Sequence, residues 1–388
     1  MTKTQLKKTV CFIIPFAIIM LSIHTTDAAL ERSAAFQMSG SIASVPIEPP
    51  IKEPNEKQNA LTIALDTVGG TSSSVANNVI NFMKTYHYNS LRIYMGWCSS
   101  FWTGNINAPM NTNTQTFIDQ LCNLCKQNNF TIVCAVSMQV NPWITFAQEE
   151  IQVGLDGAEN SQGNWVCPTG PKFQTLTKSL VKILVNIMEK YATPRISVDE
   201  IVFVTGGGTP TFYSQSMQDL YLAQTGKTVP RFTSTSGTYS TEQRAFIDFA
   251  KGTIRDFYIM AKTAAVEENP NVIFQALIDT YWNYPRTSYD TEPWDYYGSN
   301  ELDELTYEWF YAIQEGNWAG ITDGLQRVQQ LNPTAKHYFI YGTSTMTTAA
   351  NMRQAVQLAM NENYEGVSLY EYAKSKNAPF DVSDIVFG

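Results

Sequence analysis

Short apolar runs, most of them β-branched or aromatic, recur along the chain: "LTIALD" (61–66), "SLRIYM" (90–95), "FTIVCAVS" (130–137), "EIVFVT" (200–205), "VIFQALID" (272–279), "HYFIYG" (337–342) and "GVSLYEY" (366–372). Their length and texture predict strands. Between them the apolar residues fall at helical spacing, in "SVANNVINFMKTY", "TQTFIDQLCNLCKQ", "FQTLTKSLVKILVNIMEKY", "TEQRAFIDFAKGTIRDFYIMAKTAAVEEN", "ITDGLQRVQQL" and "TAANMRQAVQLAMNEN". Several of these end in Asn or Asn-Pro, a helix stop signal. Strand–helix alternation implies a parallel sheet covered by helices. With "DELTYEWF" (303–310) as a weaker eighth strand, the pattern predicts an α/β fold, a (β/α)8 barrel of TIM type. The alternative is a doubly wound open sheet. That fold should carry a Gly-rich turn after its first strand, and "DTVGG" is not followed by GxGxxG.

The N-terminus departs from this alternation. "MTKTQLKK" is basic, "TVCFIIPFAIIMLSI" is apolar, and small residues precede Ala28. Residues 1–28 therefore read as an export signal, with a retained membrane anchor as the alternative. Residues 29–58, with "ASVPIEPPIKEPNEKQ", are Pro-rich and without period, a stiff tether. Residues 59–388 are expected to form the single barrel domain, secreted and with no stable membrane span once the signal is cleaved.

Only 16% of residues are charged and the formal net charge is -9, which argues against a nucleic-acid partner because phosphate binding needs a basic stripe. Six cysteines occur, Cys11 in the signal segment and five beyond it, an odd number. Cys122 and Cys125 form a CxxC on a helical stretch and read as small core residues. Cys98 and Cys167, each close to a Trp, are expected to bridge. Asn129-Phe130-Thr131 is a glycosylation sequon.

The stretch "VTGGGTP" places Gly206, Gly207 and Gly208 after an apolar run. A phosphate loop would need a Lys that is absent here, so the glycines read as a turn requiring positive φ, or as a site whose reactive residue is missing. Beyond the signal only His87 and His337 remain, too few for a His-based triad or a zinc site. No metal and no cofactor are expected. The residues following the strands are more informative, since a barrel's site lies at their C-terminal edge. Trp97, Trp102, Trp143, Trp282 and Trp294 fall there, with Tyr94, Tyr281, Tyr284 and Tyr370. Flat aromatic faces suit sugar rings, and their polar atoms reach hydroxyls, so a saccharide ligand is expected.

Alternation along the strands selects the carboxylates. Asp66 shares a face with Thr62 and Ala64, and Asp279 shares one with Gln275, so both are expected in the barrel mouth. Glu371 shares parity with Val367 and Leu369, the helix side, unless the strand ends before it. Arg92 shares a face with Tyr94 and is expected to point inward toward a carboxylate.

"SLRIYMGWC", "EIVFVTGGGTPTFYSQSMQDLYLAQTGKTVP" and "YEGVSLYEYA" resemble the second, fourth and last strands of the (β/α)8 glycoside hydrolases of the β-galactosidase-type clan. The resemblance spans roughly residues 60–375 and is carried by order and texture. It implies an acid/base Glu at the end of strand four and a nucleophile Glu at the end of strand seven. With strands placed as above, those positions read Thr205-Gly206-Gly207 and Gly342-Thr343-Ser344, without a carboxylate. The expectation is therefore a secreted glycoside-hydrolase-like protein acting on an oligo- or polysaccharide through a different pair, Asp66 and Asp279, with Glu371 as a third candidate. Inverting pairs stand roughly 6.5–9.5 Å apart, a gap that opposite strands can span. The alternative is a non-catalytic carbohydrate-binding or cell-surface protein, which needs the aromatics but no converging carboxylates.

Overall fold

The computed structural model describes residues 57–95, 101–136, 150–158, 165–203, 205–206, 209–234, 239–279, 302–308, 313, 316–342 and 348–376. Eight strands follow one another around a closed parallel barrel: β1 (Gln58–Ala64), β2 (Ser90–Tyr94), β3 (Thr131–Val136), β4 (Arg195–Asp199), β5 (Ile273–Asp279), β6 (Glu304–Glu308), β7 (Lys336–Tyr341) and β8 (Gly366–Tyr370). Each pairs with the next in sequence, and β8 closes on β1. The expected (β/α)8 barrel is what forms, and the open sheet is excluded. The weak candidate at 303–310 is β6.

Described helices lie between strands: α1 (Ser73–Thr85), α2 (Thr112–Gln127), α3 (Pro171–Met188), α4 (Gln215–Thr225), α5 (Thr241–Glu268), α6 (Trp318–Leu331) and α7 (Ala349–Asn361), with most of the β5–β6 interval outside the described residues. Their starts are chemically marked. Ser72, Asn111 and Thr348 accept backbone N–H groups at the heads of α1, α2 and α7, and Ser240 with Gln243 forms a reciprocal capping box on α5. At α3 the buried carboxylate of Glu150 accepts from the N–H groups of Lys172 (3.0 Å) and Phe173 (3.1 Å), a negative charge on the positive end of a helix.

The core lies between barrel and helices. Strand residues Leu61, Ile63, Leu91, Ile93, Ile132, Cys134, Ile196, Val198, Phe274, Ala276, Phe339 and Leu369 pack there against the buried faces of α1, α2, α3, α5 and α7. The alternate positions face the lumen, and many of them are polar. Burial of the outward set supplies the driving force, at roughly 25 cal/mol per Å² of apolar surface.

One strand differs from expectation. The apolar run at 200–205 is not a barrel strand; β4 is the preceding "RISVD", and the chain leaves the sheet at Glu200. In β4 the lumen-facing residues are Arg195, Ser197 and Asp199, so only Ile196 and Val198 give the strand apolar character. Ile201, Val202 and Phe203 are buried without joining the barrel. Phe203 packs edge-on to Phe212 at 5.2 Å, and the Val202 carbonyl accepts from Gln152 Nε2 at 2.8 Å. Thr205–Gly206 then pairs with Thr209–Pro210 in a two-residue antiparallel ribbon. Gly207 and Gly208 lie outside the described residues.

All named elements fall within one compact unit, residues 50–388. The expected signal segment, 1–28, and nearly all of the tether, 29–58, lie outside the described residues, although Gln58 already opens β1. Among the described residues no helix is long and apolar enough to cross a membrane.

Candidate active site

The floor of the site is a chain of buried polar groups in the lumen. Arg92 of β2 donates from Nη2 to both carboxylate oxygens of Asp199 (2.7 and 2.8 Å) and to Ser197 Oγ (2.8 Å), and its Nη1 donates to Gln275. Ser197 Oγ also donates to Asp199 Oδ1 at 2.5 Å. Gln275 Nε2 reaches Glu304 Oε2 at 3.2 Å, and Glu304 pairs with Arg195 and accepts from the Tyr338 hydroxyl at 3.1 Å. Two guanidinium groups thus meet two carboxylates in a water-poor interior, where an unpaired charge is costly. Burial, then the charge of Glu304, pushes the Tyr338 phenol far up, so it serves as a neutral donor. Arg92 does find the carboxylate expected for it, and it sits beneath the mouth, 3% exposed.

Above this floor the C-terminal strand ends bring carboxylates together. Glu200 follows the last residue of β4, half-buried, with a backbone φ of 58°. That left-handed conformation is uncommon for a residue with a long side chain. Its N–H is tied to the Leu277 carbonyl of β5 at 3.2 Å. Its carboxylate Oε2 accepts from the hydroxyl of Tyr94, the last residue of β2, at 2.9 Å. Tyr94 lies edge-on to Tyr370, the last residue of β8, with ring centroids 6.0 Å apart and planes at 87°. Burial, followed by the charges of Glu371, Glu200, Glu308 and Asp66 in that order, pushes the Tyr370 phenol far up. One phenol therefore feels four carboxylates, drawn from the ends of β4, β6 and β8 and from the turn after β1.

The expected site residues divide accordingly. Asp66 lies beyond the end of β1, in a turn held by Thr67 and Val68 N–H bonds to the Ala64 carbonyl, so strand parity no longer governs it; it is exposed at the mouth. Asp279 ends β5, in register with Glu308. Glu371 follows β8, which stops at Tyr370, and its buried carboxylate accepts from Thr67 Oγ1 at 2.7 Å rather than facing the helices. Tyr94 and Tyr370 are at the mouth. Trp102 is half-buried in the segment after β2 and bridges to Met110. Trp97, Trp143, Tyr281, Trp282 and Trp294 lie outside the described residues, as does Tyr284.

Two carboxylates at the mouth were not anticipated, Glu200 and Glu308. The apolar run makes Glu200 the first residue of a strand, whereas it is the first residue beyond one. The signal that finds it is the alternation Arg195, Ser197, Asp199, an inward polar series in a chain whose floor is built from such residues. The end of strand four is thus Asp199-Glu200 and does carry a carboxylate. Strand seven ends at Tyr341, followed by Gly342.

The remaining candidates play other parts. Cys167 is a free buried thiol, 3.1 Å from Thr169 Oγ1, and not half of the expected bridge; Cys98 lies outside the described residues. Burial pushes the Cys122 and Cys125 thiols well up, which fits packing rather than redox chemistry. His337 is buried at the start of β7, away from the mouth. It bonds the Asn332 carbonyl through Nε2 (2.9 Å) and Tyr307 through Nδ1 (3.2 Å), and burial lowers its pKa. His87 is exposed after α1. Among the described residues no group of three or more His, Cys, Asp or Glu side chains could hold a metal ion.

No protein-family model matches the sequence, and no curated protein matches it either. Solved structures do share its architecture. The catalytic domain of a β-amylase from Paenibacillus polymyxa matches with a TM-score of 0.60 at 11% identity, over 81% of this chain and 93% of that one. A β-galactosidase from Bacillus circulans sp. alkalophilus matches at 0.59 and 11%, over 81% of this chain and 50% of that one. A β-galactosidase from the Antarctic haloarchaeon Halorubrum lacusprofundi matches at 0.60 and 9%, over 81% and 52%. This chain spans about half the length of these two β-galactosidases. The barrel is therefore similar to those of glycoside hydrolases, including the β-galactosidase type that the strand texture resembles, and at such identities the likeness is one of fold.

Proposed function

We propose that this protein is a secreted glycoside hydrolase acting on an oligo- or polysaccharide, with Glu200 as the carboxyl group that protonates the departing glycosidic oxygen. The observation that carries this reading is the placement of Glu200: it stands just past β4, with φ at 58° and a tyrosine hydroxyl on its carboxylate. That is the place where the β-galactosidase-type resemblance puts an acid/base Glu. Uncommon backbone geometry at a strand end is a mark of a site held for function. The fold neighbours, a β-amylase and β-galactosidases, support the same reaction class.

Glycoside cleavage needs a proton donor and a second carboxylate that activates water or attacks carbon. Glu308, half-buried at the end of β6, is our choice, since its strand fixes its backbone and water still reaches it. Glu371 is buried and held by Thr67. Asp66 and Asp279 stand as the other candidates for that second role. Secretion rests on the basic and apolar pattern of residues 1–28. A second reading, a non-catalytic saccharide binder, is favoured by one observation: β7 gives way to Gly342, where the resemblance calls for a nucleophile.

The test is hydrolysis and binding across a broad glycan panel, with wild type beside Glu200→Gln. Cleavage by the wild type that falls by about 10²–10⁴ in the variant, with binding kept, is the expected result. Binding without cleavage by the wild type leaves the binder reading standing, and neither binding nor cleavage sinks both.

A further inference from the structure

Tyr94 stands between two small neighbours. Its register partners on the neighbouring strands are Ala64 of β1 and Ala135 of β3, the smallest side chains that still carry a Cβ. These alanines pack with Tyr94 and Tyr370 in a small cluster inside the mouth. The Tyr94 ring therefore has room to lie across β3 and reach two strands over, to the end of β4. Tyr370 abuts it edge-on from β8, and Tyr94 itself is buried, at 6% exposed. The ring is held by packing, and its hydroxyl ends on Glu200 Oε2 at 2.9 Å. Meanwhile the backbone of Glu200 is fixed by its N–H bond to Leu277.

We infer that Tyr94 is a positioning residue for Glu200 rather than a sugar-contacting one: its hydroxyl fixes the rotamer of the carboxyl group and biases it toward the ionised form. The inference rests on the reading of Glu200 as the proton donor. A hydrogen bond donated to a carboxylate favours its charged form, whereas neighbouring negative charges favour the protonated form. The mouth presents both influences. Tyr94 and Tyr370 face it from β2 and β8. Glu371, Glu308 and Asp66 are the carboxylates whose charges Tyr370 senses beside that of Glu200, and Asp279 stands in register with Glu308. The Tyr94 hydroxyl donates to Glu200 itself, an influence that favours the charged form.

The test is Tyr94→Phe, which removes the hydroxyl and keeps the ring. Two readouts are needed. The first is the pH profile of kcat/KM on a cleaved glycan: the alkaline limb should move up by about one pH unit, with kcat down about tenfold and KM unchanged. The second needs no substrate: the carboxyl-carbon NMR titration of Glu200, assigned with Glu200→Gln, should move its midpoint upward by the same amount. Should Tyr94→Phe fold poorly, 3-fluorotyrosine at position 94 supplies a more acidic donor of nearly the same shape, and the midpoint should then move down. Coincident midpoints in wild type and Tyr94→Phe overturn the inference, as does an unchanged kcat/KM profile. A raised KM with an unmoved profile overturns it too, and makes Tyr94 a substrate contact. If the wild type cleaves nothing but the midpoint still moves, positioning by Tyr94 stands and the hydrolase reading is what fails.

Discussion

On the proposed reading, requirements of function and of stability pull apart at Glu200. Its side chain shares the surroundings of Tyr370 with those of Glu371, Glu308 and Asp66, all carboxylates, and its backbone sits where Asn, Asp and Gly are better accommodated. Like charges in one mouth repel, and proteins tolerate such local instability where a reaction requires it. Glu200→Gln keeps an acceptor for the Tyr94 hydroxyl and removes one of the charges. The variant should therefore melt higher than wild type at neutral pH, by about 2 °C, for a gain of about 1 kcal/mol. The difference should shrink as the pH falls and the neighbouring carboxylates take up protons. A lower melting temperature at neutral pH would mean that the charge of Glu200 is compensated, and the account of the mouth would need revision. At this scale the sequence was partly legible. Arg92 was placed inward toward a carboxylate and found Asp199. Asp66 followed a parity that ended with the strand at Ala64, two residues before it, and still arrived at the mouth.

Among the elements, the seam between β1 and β8 is a close approach at Gly366. A Cβ on Gly366 would lie 2.4 Å from the Gln58 carbonyl oxygen and 3.0 Å from its nitrogen, both backbone atoms of the neighbouring strand. Backbone cannot rotate aside as a side-chain tip can, so Gly366→Ala must prise the two strands apart where they begin to pair. A loss of about 1–3 kcal/mol is expected from overpacking of this kind, measured by urea unfolding. A variant as stable as wild type would show that the seam yields. The same scale explains what the sequence concealed. Seven barrel strands carry enough apolar or aromatic residues to be seen by texture, with β6 only faintly visible. β4 is not seen, because its inward positions are Arg195, Ser197 and Asp199 and only Ile196 and Val198 face the core. The neighbouring Ile201–Phe203 segment, buried but outside the barrel strands, draws the eye instead. Shifting the strand end from residue 205 back to residue 199 is what moves the end of strand four from glycines to a glutamate.

For the whole molecule, the barrel separates two tasks. The lumen floor is a neutral, fully buried ionic lattice in which Arg92, Asp199, Arg195 and Glu304 satisfy one another, while the mouth above it gathers carboxylates next to tyrosines. Barrels similar to those of glycoside hydrolases host chemistry at that end of the strands. The architecture was legible from the alternation of strand and helix; the proposed proton donor was not, because its place depends on where one charged strand stops. The claim that joins floor, mouth and function is that Glu200 delivers a proton to a departing sugar oxygen. The most direct measurement compares two substrates in Glu200→Gln and wild type: a glycan identified by the panel and the dinitrophenyl glycoside of the same sugar, whose leaving group departs without protonation. The account predicts a loss of about 10²–10⁴ in kcat/KM on the glycan and little change on the dinitrophenyl glycoside in the step that breaks its bond. Equal losses on both substrates, or no loss on either, would contradict it.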